Sequence, residues 1–133
     1  MQYLDWLTDD ELRAYVASLN ARAKAAGARG QLTIAELRGI ILDSGGLCAW
    51  CGKSIVGQEF EVDHIIPLAM GGAHIPNNLA ACCPTCNRSK SDKHPAIFAQ
   101  ELYSQSKQLT PLLQRIFRHY NITPQVQRSL FDE

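Results

Sequence analysis

Two cysteine pairs constrain this chain more than any other feature. Cys48-Ala49-Trp50-Cys51 and Cys83-Pro84-Thr85-Cys86 each set two thiols with two residues between them. That spacing lets two thiolates converge on one ion, each sulfur about 2.3 Å from it, and two pairs complete a closed tetrahedral zinc site. The pairs lie too far apart for a compact finger, so the chain between them must loop out from the metal and return. Gly52 permits a turn that aims backbone amides at the first pair. Pro84 suits the first position of a helix carrying the second. Cys82 adjoins Cys83. The C-x-x-C spacing with Cys86 selects Cys83 as ligand and leaves Cys82 at an apolar position.

The 133 residues are expected to form a single domain, 1–133. N-terminal helices would occupy 1–46, the zinc-stapled core 47–94, C-terminal helices 95–122 and a tail 123–133. A hydrophobic content of 46% supports only a modest core, and a structural metal helps such a chain hold irregular segments. Thirteen basic and thirteen acidic residues balance, which argues against strong non-specific nucleic-acid binding. Locally, Arg88, Lys90 and Lys93 stand against only Asp92 and leave DNA open as a partner. No apolar run reaches the ~20 residues of a membrane span, and Met1–Trp6 lacks the basic and apolar parts of a signal peptide. The expectation is a cytoplasmic protein without membrane contact, a compartment where paired cysteines favour metal over disulfide.

Helix signals flank the cysteine frame. Thr8-Asp9-Asp10-Glu11 and Thr33-Ile34-Ala35-Glu36 both read as capping boxes. Leu12, Tyr15, Val16, Leu19 and Ala23 make the first apolar stripe, ended by Gly27. Leu37, Ile40 and Ile41 make the second, ended by Ser44-Gly45-Gly46. The two helices are expected to pack as a hairpin. Basic Arg13, Arg22, Lys24 and Arg29 read as a solvated face. Glu59–Val62 alternates as a strand with Phe60 and Val62 inward. Strict alternation would send Asp63 and His64 to opposite faces, so one site can use both only if the strand ends or bends there. Pro67 is consistent with such an end. A helix from Pro84 would carry Cys86, Asn87 and Lys90, with Lys93-His94-Pro95 near its end. Asn87 and Lys90 would share a face. Ala96–Lys107 and a helix from Thr110-Pro111 follow, the latter with Leu112, Leu113, Ile116, Phe117 and Tyr120 as its stripe.

Within the frame lie Asp63, His64, Asn78 and Asn87. Phosphodiester hydrolysis needs a base for water, and a neutral imidazole serves near neutral pH. It also needs charge stabilisation, which a divalent cation supplies. Mg²⁺ takes few protein ligands, so a carboxylate and an amide oxygen, from Asp63 and Asn87, would suffice. Taken together, Cys48-x-x-Cys51, Val62-Asp63-His64-Ile65-Ile66-Pro67-Leu68, Gly71-Gly72, Asn78-Leu79 and Cys83-x-x-Cys86-Asn87-x-x-Lys90 resemble the zinc-containing HNH endonucleases. The resemblance covers about a third of the chain. It implies an α+β, mostly helical fold: a small zinc-stapled ββα-metal core flanked by N- and C-terminal helices. It implies His64 as general base, Asp63 and Asn87 as ligands of one catalytic Mg²⁺ or Mn²⁺, and Asn78 as the residue holding the loop and the histidine. Cleavage of DNA to a 5′-phosphate and a 3′-hydroxyl is the implied activity, by a monomer or a homodimer. Arg88 and Lys90 are expected to hold flanking phosphates. The competing reading is a non-catalytic zinc-stapled nucleic-acid-binding or adaptor module.

The tail holds Gln127-Arg128-Ser129-Leu130-Phe131, which resembles the short peptide that binds the bacterial sliding clamp. The resemblance implies Gln127, Leu130 and Phe131 as anchors and the clamp as a second partner.

Overall fold

A computed structural model describes residues 8–124. Helix α1 spans Asp9–Ala25 and buries Leu12, Val16, Leu19 and Ala23. Acidic Asp9, Asp10 and Glu11 in its first turn complement the helix dipole. Thr8 stands at the N-cap position but its side chain makes no capping bond, so the first capping box is not formed. The other end closes as expected: Gly27, at φ 73°, donates to the Lys24 carbonyl, and Ala28 donates to Ala23. Helix α2, Ile34–Asp43, starts with the full capping box. Thr33 Oγ1 accepts from the Glu36 amide at 3.1 Å, and Glu36 Oε1 accepts from the Thr33 amide at 3.0 Å. The two helices pack together and turn their stripes into one core.

Strand β1 (Glu61–His64) pairs antiparallel with β2 (Leu79–Cys82), with Glu61 opposite Cys82 and His64 opposite Leu79. The strand begins later than its alternation implies and runs through Asp63 to end at His64. Helix α3, Pro84–Lys90, follows β2 at once and packs on β1. This is the ββα unit. Its helix stops at Lys90 rather than near Lys93, with Ser91 at φ 49°. Helices α4 (Pro95–Ser106) and α5 (Pro111–His119) pair beside it. Trp50, wholly buried, lies edge-on to Phe98 at 5.1 Å between ring centroids and joins the ββα unit to α4. Among the described residues no helix is long and apolar enough to cross a membrane.

The loop between the strands carries two short 3₁₀ turns, Leu68–Met70 and Pro76–Asn78. Asn78 clasps it. Its Oδ1 accepts from the Ile66 amide at 2.8 Å, and its Nδ2 donates to the carbonyls of Ile66 at 3.0 Å and Ala73 at 2.9 Å. Its backbone carbonyl accepts from Ile65. Gly72 makes the clasp tight, because a Cβ there would run into the Ile66 carbonyl. Replacing Gly72 with Ala should therefore cost about 1–3 kcal/mol through overpacking. Gly39→Ala, inside α2 with nothing within 4 Å of the added methyl, should gain about 0.5–1 kcal/mol. Denaturant unfolding of the two variants checks the opposed signs.

Candidate functional site

The cysteine frame closes on itself. Cys48 and Cys51 sit on a turn in which Cys48 donates to the Lys53 carbonyl at 2.7 Å, and Gly52, at φ 79°, donates back to Cys48 at 2.9 Å. Cys83 caps α3 and Cys86 lies in its first turn. The Sγ atoms of Cys48, Cys51, Cys83 and Cys86 all lie within 4.8 Å of one another, and Cys51 Sγ is 4.0 Å from Cys83 Sγ. Tetrahedral zinc needs sulfurs about 3.8 Å apart, so the donors fit that ion after a small contraction. Their electrostatics point the same way. The Cys48 thiol is held down at about 5, chiefly by a hydrogen bond from Cys86. Burial pushes Cys51 up to about 11, and the same Cys48 contact, with burial, pushes Cys86 up. Four thiolates cannot share this space without a cation to neutralise them. Cys82 stands apart in β2, wholly buried, its thiol pushed up by burial.

Asp63 and His64 end β1 and line one cavity of about 260 Å³ together with Asn87 and Arg22. A wider, mainly apolar cleft of about 610 Å³ lies between α2, β2 and α5 and holds none of these groups. Asp63 is buried among donors: Trp50 Nε1 at 3.2 Å and Lys90 Nζ at 3.2 Å, both to Oδ2, with Lys90 3.4 Å from Oδ1. Burial still pushes its carboxyl above the ordinary range, against the pull of Lys90 and Trp50. Oδ1 is the less engaged oxygen and the one best able to take a cation. Asn87 Nδ2 donates to Glu61 Oε2 at 2.9 Å. A carboxylate only accepts, so this bond orients the amide and leaves Asn87 Oδ1 as the second oxygen donor. Two hard oxygens suit Mg²⁺ or Mn²⁺.

Burial, followed by the charges of His74, Arg22 and Lys90, pushes the His64 imidazole down to about 4, which leaves it neutral near neutral pH. Its Nε2 lies 2.9 Å from His74 Nδ1, and His74 Nε2 lies 2.7 Å from Asn20 Oδ1. Asn78 bonds the loop after β1 and makes no side-chain bond to His64 among the described residues.

Lys90 departs from its expected place. It is wholly buried, and its ammonium also donates to the His64 carbonyl at 2.9 Å. It therefore does not face solvent as a phosphate contact, because a buried ammonium needs these partners to offset lost hydration. Arg88 is exposed on α3. Arg22, read from sequence as part of a solvated face, lines the cavity with an exposed side chain. Trp50 both fills the core and orients Asp63 through its indole N–H. Asn20, Glu61 and His74 had no distinguishing signal in the sequence, since their partners lie far along the chain. Gln127, Leu130 and Phe131 lie outside the described residues.

A family model for HNH endonucleases matches residues 48–103. The match takes in the cysteine frame and the groups inside it, and covers less than half of the chain. It is 43% identical over 54 residues to the CRISPR-associated endonuclease Cas9 of Corynebacterium diphtheriae, a match over 40% of this chain and 5% of that one. It is 42% identical over 55 residues to the Type IV methyl-directed restriction enzyme EcoKMcrA of Escherichia coli K12, over 37% of this chain and 20% of that one. The crystal structure of the Type II-C Cas9 from Actinomyces naeslundii aligns at a TM-score of 0.45 and 28% identity, covering 70% of this chain and 9% of that one. The chain thus spans a small part of these relatives.

The two α3 cations should behave differently on mutation. Lys90→Met strands a buried carboxylate and should cost about 3–5 kcal/mol. Arg88→Ala, at the surface, should stay within about 0.5 kcal/mol of the parent. Equal, small shifts in thermal unfolding would mean that Lys90 faces solvent.

Proposed function

We propose that this chain is a metal-dependent HNH endonuclease that hydrolyses DNA phosphodiester bonds. The observation that carries the reading is the convergence of Asp63, His64 and Asn87 on one cavity beside the exposed guanidinium of Arg22. Cys48, Cys51, Cys83 and Cys86 would hold a structural zinc with no open position for chemistry. Asp63 and Asn87 would hold Mg²⁺ or Mn²⁺, whose role when bound is to stabilise charge on the phosphate and the leaving oxygen.

The side chains divide the remaining work. His64, neutral, accepts a proton from water as the water oxygen bonds to phosphorus. The bond from phosphorus to the 3′ oxygen breaks, and that oxygen leaves with a proton from solvent, giving a 5′-phosphate and a 3′-hydroxyl. Arg22 and Arg88 hold phosphates on the strand. Lys90 and Trp50 keep Asp63 fixed, and Lys90 anchors the His64 backbone. Glu61 keeps the Asn87 oxygen turned toward the site.

Supercoiled plasmid incubated with the zinc-loaded protein and Mg²⁺ or Mn²⁺ should become nicked. His64→Ala should slow this by about 10²–10⁴-fold, the usual worth of a positioned base. DNA binding without cleavage, or equal cleavage by His64→Ala, would instead favour a non-catalytic zinc-stapled module.

A further inference from the structure

The ring of His64 is held by a chain of hydrogen bonds that begins outside the family-matched segment. Asn20, on α1, faces the backbone of Leu32. Its Nδ2 donates to the Leu32 carbonyl at 3.0 Å, and its Oδ1 accepts from the Leu32 amide at 2.9 Å. A backbone N–H only donates and a carbonyl only accepts, so the Asn20 amide has one orientation. The atom it offers His74 is therefore an acceptor, and His74 Nε2, 2.7 Å away, must carry a hydrogen. A neutral imidazole bears one hydrogen, which makes His74 Nδ1 an acceptor. His64 Nε2, 2.9 Å from it, must then be the donor. The neutral His64 ring is left with its lone pair on Nδ1, which has no hydrogen-bond partner among the described residues.

We infer that His74, oriented by Asn20, is a positioning residue that fixes His64 in the Nε2–H tautomer and so presents Nδ1 to the attacking water. His74 is built for this place. It is wholly buried, which opposes a second proton on its ring. Its amide donates to the Arg29 carbonyl at 2.7 Å. Gly30, at φ 107°, lets the chain pass so close that a Cβ would strike the His74 carbonyl. When His64 takes the water proton on Nδ1, its Nε2–H stays bonded to His74, and His74 needs neither to gain nor to lose a proton.

The catalytic use of the tautomer rests on the nuclease reading; the tautomer itself does not. Long-range ¹H–¹⁵N correlation spectra of the zinc-loaded, ¹⁵N-labelled protein report which ring nitrogen of each histidine is protonated. Both His64 and His74 should be Nε2–H. His64 protonated on Nδ1, or His74 doubly protonated, would overturn the inference whatever the protein does to DNA. In plasmid cleavage, His74→Leu removes the acceptor and should lower kcat by about 10–100-fold with KM little changed. His74→Asn keeps an acceptor near the position of Nδ1 and should retain kcat within about 10-fold. Wild-type kcat in a folded His74→Leu variant would also overturn it. If that variant fails to fold, the wild-type spectra decide alone. Predicted tautomers in a protein that does not cut DNA would leave the hydrogen-bond chain standing and remove the nuclease reading.

Discussion

The sulfur cluster is the constraint on which the rest depends. It pins the turn at Cys48–Cys51 to the start of α3, two places 32 residues apart that share little regular structure. Two groups of the site hang directly from it. Trp50, between the first two sulfurs, donates to Asp63. Asn87 follows Cys86 and faces Glu61. The Ala49 amide, on the same turn, donates to Ala81 of β2 at 2.9 Å. A metal in the cluster would thus set the distance between the carboxylate on the strand and the amide on the helix. Small domains rarely hold an irregular segment this long on hydrophobic burial alone.

The flanking helix α1 does more than cover the core. Tyr15 accepts a hydrogen bond from the Val62 amide at 3.0 Å and so ties the outer edge of β1 to the helix. One turn and more further along, Asn20 reaches His74 and Arg22 reaches the cavity. The site is therefore assembled from four sources: the end of a strand, the loop that follows it, the start of α3 and the face of α1. Its geometry is held by polar groups that are buried and bonded, which is where a misplaced residue is most costly.

Much of this was legible in the sequence because the signals are local. The C-x-x-C spacings, the Thr33–Glu36 box, Gly27 as a helix stop and Pro84 as a helix start each depend on residues within a few positions of one another. What was not legible depends on distance in the chain. His74 sits 54 residues from Asn20 and 10 from His64, and no periodicity links them. Lys90 looked like a surface cation because lysines usually are; only the fold reveals that Asp63 and the His64 carbonyl surround it. Asp63 and His64 share a cavity despite adjacent positions because β1 ends there, a fact its alternation allowed without requiring. Thr8 carried the same signature as Thr33 and does not form the box, a reminder that helix starts follow context as well as pattern.

On the proposed reading the domain has two metal sites of different character, a closed sulfur cage that would hold the fold and an open pair of oxygens that would serve the reaction. Mild dialysis against a chelator, followed by assays of bound zinc, thermal unfolding and plasmid nicking on one sample, tests this most directly. One zinc should be retained per chain, the unfolding midpoint should not change, and nicking should be lost and then restored by Mg²⁺. Loss of zinc, fold and nicking together, or nicking that survives the treatment, would contradict that reading.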